Sequence, residues 1–141
     1  MKKKMTLIFL IIAVIILGFV FKDKLIQTYV TVFHTVLEEY SEKLLADSET
    51  RSSSYGLWDV DVYHEDNMVE FMTGGFGLAP GSTYKGFYYS ADNTHKVFSS
   101  ADASISPLEI DGDRATWTDG TDNHGVSVRI MDKWFWFEAS F

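Results

Sequence analysis

Met5–Phe21 reads MTLIFLIIAVIILGFVF and follows directly on Lys2, Lys3 and Lys4. Thirteen of the fifteen residues from Leu7 to Phe21 are Leu, Ile, Val or Phe. On an insertion scale each contributes roughly −0.3 to −0.6 kcal/mol at a helix centre, so the run sums to about −4 to −8 kcal/mol. At ~1.5 Å rise per residue it spans about 25 Å, slightly less than a hydrocarbon core of about 30 Å, and Lys4 and Lys22 can snorkel across the difference. The run therefore predicts an N-terminal transmembrane helix, with residues 1–21 as the membrane anchor. A cleaved secretory signal has a similar basic start and apolar middle, but it wants small residues at its cleavage site. Ile16, Gly18 and Phe19 stand there instead, so an uncleaved signal anchor is the preferred reading. The lysine bias places the N-terminus in the cytoplasm and the rest of this single-pass chain on the extracytoplasmic side of the cell membrane.

Behind the anchor, Ile26, Val30, Phe33, Leu37, Tyr40 and Leu44 recur at spacings of 4, 3, 4, 3 and 4 residues. That is a heptad seam, and no Gly or Pro interrupts residues 22–47. The membrane helix is thus expected to continue into an amphipathic stalk helix of roughly 39 Å. Two uses of the seam compete. Either it packs on the chain's own β domain, which we favour, or it pairs weakly with a second copy through Ile26 to Leu44. His34 stands alone in this stretch and carries no ligand pattern.

Residues 48–141 form the third unit. They hold 6 Lys or Arg against 15 Asp or Glu, a net charge of −9, which repels nucleic acid and anionic headgroups. Asp47 to Ser54 reads as a polar connector, after which the apolar period drops to 2. Trp58, Val60 and Val62 alternate with acids, a turn is expected over His64 to Asn67, and Val69 and Phe71 follow. Further strands are expected over Tyr84–Ser90, His95–Phe98, Leu108–Asp111, Arg114–Thr118, Gly125–Met131 and Trp134–Phe141, with turns at Ala91–Asn93, Asp111–Asp113, Asp119–Asn123 and Asp132–Lys133. The fold class is α+β: the N-terminal helix, then a mainly antiparallel β sandwich or small barrel of about eight short strands. The inward set is Trp58, Val60, Val62, Val69, Phe71, Phe87, Tyr89, Leu108, Ile110, Trp117, Val126, Val128, Ile130, Phe135, Phe137 and Phe141.

Taking Phe135 and Phe137 as core assigns Tyr84, Tyr88, Trp134, Trp136 and Glu138 to the opposite face. Aromatic planes beside a carboxylate can stack sugar rings or peptide side chains, so these five are the candidate ligand-binding residues. The competing reading is that the helical seam covers them. The loop GGFGLAPGS at Gly74 to Ser82 lacks the ending of a phosphate loop and reads as a bend, with a mobile binding loop carrying Phe76 and Leu78 as the alternative. Asp111, Asp113, Asp119, Asp122 and Asn123 lack the spacing of a calcium loop and fit turn chemistry. His64, His95 and His124 lack paired zinc spacing. No cofactor or metal motif is present. No nucleophile signature appears, and an enzyme is the less favoured reading; its best form is a glycan-directed hydrolase with paired carboxylates drawn from Asp59, Asp61, Glu70 and Glu138.

GFYYS at Gly86–Ser90, TDNHG at Thr121–Gly125 and WFWFEASF at Trp134–Phe141 are similar to stretches of small, uncharacterised bacterial proteins with one N-terminal membrane helix. The resemblance covers roughly residues 55–141 and implies a bacterial single-pass protein, without an activity or site residues. The functional expectation is a membrane-anchored extracytoplasmic binding domain of the bacterial envelope, meeting an envelope protein or a cell-wall glycan. The alternatives are the hydrolase and a structural subunit of a membrane complex.

Overall fold

The structure, a computed structural model, describes residues 2–78, 81–97 and 108–141, without the side chains of residues 2–5, 15, 16, 19, 20, 76 and 78. It is α+β: one helix and eight antiparallel strands in a single open sheet. Helix α1 runs unbroken over Lys2–Ala46, as expected where no Gly or Pro interrupts residues 22–47. Thr28 and Thr31 lower its propensity, and their hydroxyls donate back to the carbonyls of Lys24 and Gln27. The helix stops at Asp47, whose carboxylate accepts from the Glu49 amide and the Thr50 hydroxyl and holds the chain in a turn.

The strands are β1 (Ser52–Tyr55), β2 (Trp58–Tyr63), β3 (Met68–Leu78), β4 (Gly81–Ser90), β5 (Glu109–Asp111), β6 (Arg114–Thr118), β7 (His124–Met131) and β8 (Trp134–Ser140). Their order is β1-β2-β3-β4-β8-β7-β6-β5, two meanders joined where β4 meets β8. The expected sandwich or barrel is corrected to this open sheet, because helix and sheet already form the two layers a small core needs. β1, read from sequence as connector, pairs as an edge strand through the tight Gly56–Leu57 turn, where Gly56 has φ of 62°. The Gly-rich loop is also corrected: Gly74 to Leu78 continues β3 and pairs with Gly81 to Lys85 after a bulge near Thr73. His95 to Val97 is not strand, and Phe98 lies outside the described residues.

Only the second half of α1 packs on the sheet. Ile26, Val30 and Leu37 bury against Val60, Val62, Val69, Phe71, Phe87 and Trp134, so the seam is used within the chain and the pairing of two copies through Ile26 to Leu44 finds its central residues covered. Polar contacts flank this packed half of the helix. Lys22 Nζ donates to the Thr73 carbonyl at 3.0 Å, Lys85 lies 3.7 Å from Asp23, and Lys133 Nζ donates to Glu38 at 2.7 Å. Toward the N-terminus the helix leaves the sheet, and every apolar side chain from Leu7 to Val14 is exposed, as are Leu17 and Phe21. Among the described residues, no helix is long and apolar enough to cross a membrane, so the expected span over Met5 to Phe21 is not supported at this level.

The other sheet face carries a second core of Met68, Tyr88, Trp117, Phe135, Phe137 and Ala139. The expected inward set therefore divides. Trp58, Val60, Val62, Val69, Phe71, Phe87 and Tyr89 lie under the helix, whereas Leu108, Trp117, Phe135, Phe137 and Phe141 belong to the far face. Ile110, expected in the core, is exposed.

Candidate functional site

Strand register decides what became of the five residues expected to form one aromatic face. Tyr89 pairs with Trp134, Phe87 with Trp136 and Lys85 with Glu138, while Tyr88 pairs with Phe135 and Tyr84 with Ala139. Directly paired residues of antiparallel strands share a face, so Trp134, Trp136 and Glu138 lie on the helix side and Tyr84 and Tyr88 on the other. The structure does not bring the five together.

Each also has another use. Trp134 is fully buried, its ring 5.2 Å from Tyr89 and 6.0 Å from Phe87. Trp136 lies 5.9 Å from Lys85 Nζ, and Glu138 takes that same ammonium at 2.6 Å; this bond, above all, raises the Lys85 pKa. Tyr88 is fully buried and stacked on Phe135 at 5.0 Å. Its hydroxyl meets Ser127 Oγ at 2.6 Å and accepts from the Lys96 amide at 3.0 Å. Burial pushes it up to about 12, against the lowering effect of those two contacts. Tyr84, beside Phe141, is 39% exposed.

The far face holds what the sequence reading did not assemble, a cavity of about 500 Å³. β3 runs through its middle with Met68, Glu70 and Met72, and Asp61 and Tyr63 of β2 line one side together with Asp66 of the following turn. Across β4, which supplies Tyr84, the opposite side is Phe137 and Ala139 of β8 with Phe141 beyond. The cavity is therefore acidic at one side and apolar at the other. Alternation dictates this: Asp59, Asp61 and Tyr63 occupy the β2 positions opposite in parity to Val60 and Val62, and the helix claims the valines.

Glu70 is the centre of the site. It is 4% exposed and pairs across the strands with Asp61 on one side and Tyr88 on the other. Burial raises its pKa to about 7; the Tyr63 hydroxyl, donating to it, pulls the value down, and repulsion from Asp61 adds to the rise. Tyr63 is in turn raised, by burial first and then by the charges of Glu70 and Asp61. Burial and Asp59 raise Asp61. A carboxylate desolvated to this degree and facing a cavity is a recognised mark of functional sites. Parity named Asp59, Asp61, Glu70 and Glu138 as candidate acids; of these only Asp61 and Glu70 line the cavity, Glu138 lying on the helix side, and their convergence with Tyr63, Met72 and Phe137 depends on strand pairing over long sequence separation.

Two further constellations read as structure. His95 Nδ1 sits 2.9 Å from Ser127 Oγ, the spacing of a base and a nucleophile. Ser127, however, is 1% exposed and shares its hydroxyl with Tyr88, and burial first, then Arg129, lowers the His95 pKa. The aspartates after β6 build their own turn: Asp119 accepts from the amide and hydroxyl of Thr121 and from the Asn123 side chain. Among the described residues no three His, Cys, Asp or Glu side chains group to hold a metal ion. No protein-family model matches the chain, and no curated protein or solved structure matches it.

Proposed function

We propose that this protein is a membrane-anchored, extracytoplasmic binding domain of the bacterial envelope whose ligand site is the far-face cavity around Glu70. The observation that carries the reading is the division of labour between the two sheet faces. One is closed by the chain's own helix, and the other offers a cavity of about 500 Å³, within the usual range for small-ligand sites, with apolar walls and a few convergent polar groups. The anchor rests on the full Met5–Phe21 sequence, including Ile15, Ile16, Phe19 and Val20. Its support is the exposure of consecutive apolar side chains around two full turns of α1, since a helix apolar on all sides is stable only in an apolar medium. Lys22, Asp23 and Lys85 form a polar collar directly behind it.

A screen of small fragments by ligand-observed NMR, on the full chain in lipid nanodiscs, tests the site. Fragments are expected to bind, and Met72→Trp, which fills the cavity, is expected to abolish binding. Hits unaffected by Met72→Trp would place the site elsewhere. A second reading has one specific observation behind it: Asp61 and Glu70 are paired across adjacent strands in a cleft, with Glu70 raised to about 7, the asymmetry a glycosidase acid and its partner use. Release of reducing ends from cell-wall glycan, lost in both Asp61→Asn and Glu70→Gln, is its expected signature.

A further inference from the structure

The walls of the cavity define the charge its ligand must carry. Asp61, Asp66 and Glu70 line it, and among the described residues its lining contains no Lys, Arg or His. Nor, among the described residues, does a cation reach these acids from elsewhere. Lys85 is engaged by Glu138 and Asp23, Lys96 by Asp92, Arg129 by Asp113 and Lys133 by Glu38, and among the described residues none pairs with Asp61, Asp66 or Glu70. Burial of a carboxylate is tolerated where a counter-charge and hydrogen bonds compensate it. Glu70 is 4% exposed, and the Tyr63 hydroxyl supplies the hydrogen bond but no charge.

Apart from Tyr63 and from Asn123, whose amide donates to Asp119, the remaining lining is apolar or aromatic. Met68 and Met72 present polarizable thioethers, and Tyr84, Phe137 and Phe141 present aromatic rings. Thioethers and aromatic rings pack favourably against an apolar or aromatic body. The polarity runs across the sheet, from the acids on β2 and β3 to the rings on β8, so a ligand lying along it places its charge at one end and its apolar body at the other. An anion is repelled by the acids, and a neutral apolar molecule leaves them uncompensated. Among the described residues no three His, Cys, Asp or Glu side chains form a cage for a bare ion.

Resting on the reading of the cavity as the ligand site, we propose that it takes an organic cation: an ammonium group held between Glu70 and Asp61, with an apolar body against Met72, Phe137 and Phe141.

The test uses the full chain in phosphatidylcholine nanodiscs at pH 8, where the Glu70 carboxyl is ionised and an alkylamine is still charged, with empty nanodiscs as blank, and calorimetric titration with three probes of one shape: 3-phenylpropylamine, 3-phenylpropanol and 3-phenylpropionate. The amine is expected to bind at least tenfold more tightly than the alcohol, and the carboxylate not measurably. Glu70→Gln should weaken the amine at least tenfold and leave the alcohol unchanged; Asp61→Asn should weaken it severalfold. Unchanged thermal unfolding of Asp61→Asn makes that variant decisive if Glu70→Gln is structurally altered. Equal binding of amine and alcohol would overturn the cation while leaving the cavity as a site. Failure of all three probes to bind would overturn the cation reading, and a blank fragment screen would remove the cavity with it.

Discussion

Glu70 has an ordinary pKa of 4.5 and one of about 7 in the folded chain, so between those values the folded protein holds a proton that the unfolded chain has lost. The native state binds more protons across that window, and stability must fall as pH rises through it. The stabilisation is complete below about 4.5 and gone above about 7, a difference on the order of 3 kcal/mol. Glu70→Gln is neutral at every pH and still accepts from Tyr63. Urea unfolding of this variant is expected to show higher stability than wild type at pH 8, by roughly 2–3 kcal/mol, and near-equality at pH 4.5. A wild-type profile flat from pH 4.5 to 8 would contradict the buried, charge-poor setting of this carboxylate. Gly86 shows a different constraint at the same scale: a Cβ there would run into the Phe71 carbonyl and the Phe137 ring, so only glycine lets β3 and β8 close on β4.

At the scale of elements, helix α1 shows how a short apolar repeat is read. A strict heptad places Phe33 in the seam, yet Phe33 is 44% exposed while Val30 and Leu37 are fully buried and Ser41 takes the next inward position. A straight helix drifts about 20° per heptad against a 3.5-residue repeat, and a sheet, unlike a partner helix, does not supercoil to follow it. Leu37→Ala is therefore expected to cost about 2–5 kcal/mol, and Phe33→Ala no more than about 0.5 kcal/mol, in chemical denaturation of the full chain. Comparable losses at both positions would restore the heptad and a helical partner. The strands tell the complementary story. Their existence and most turns are legible, down to Asn67, Gly112 and Lys133 adopting positive φ at hairpin corners. β1 escaped because Ser52, Ser53 and Ser54 carry no apolar alternation; their pairing comes from the turn at Gly56 and the neighbouring β2.

At the scale of the whole molecule, the proposed anchor determines where the chain sits. Ile12→Lys replaces a favourable contribution with one costing about 2.5–3.5 kcal/mol at a helix centre. Membranes washed with alkaline carbonate are expected to retain the wild type and to lose much of this variant; equal extraction of both would remove the anchor. The chain has no cysteine, and Leu57 at the β1–β2 turn is fully exposed. Leu57→Cys should accordingly react with a membrane-impermeant maleimide in intact cells, and protection until lysis would reverse the assigned orientation.

What the residues determine by themselves is local: an apolar run without charge, a helix that nothing interrupts, an alternation that makes strands, and turn residues that set where the strands end. Each follows from interactions within a few positions of the chain. Which faces share a side is not of that kind. Period-2 alternation sorts the residues of one strand into two sets but does not say which set matches which on the next strand. The β4–β8 register sends Trp134 under the helix with Phe87 and Tyr89, and Tyr88 to the far side with Phe135. That single pairing dissolves the aromatic face expected from sequence and leaves Glu70 inside a cavity, because the helix had one amphipathic seam and covered only one side of the sheet.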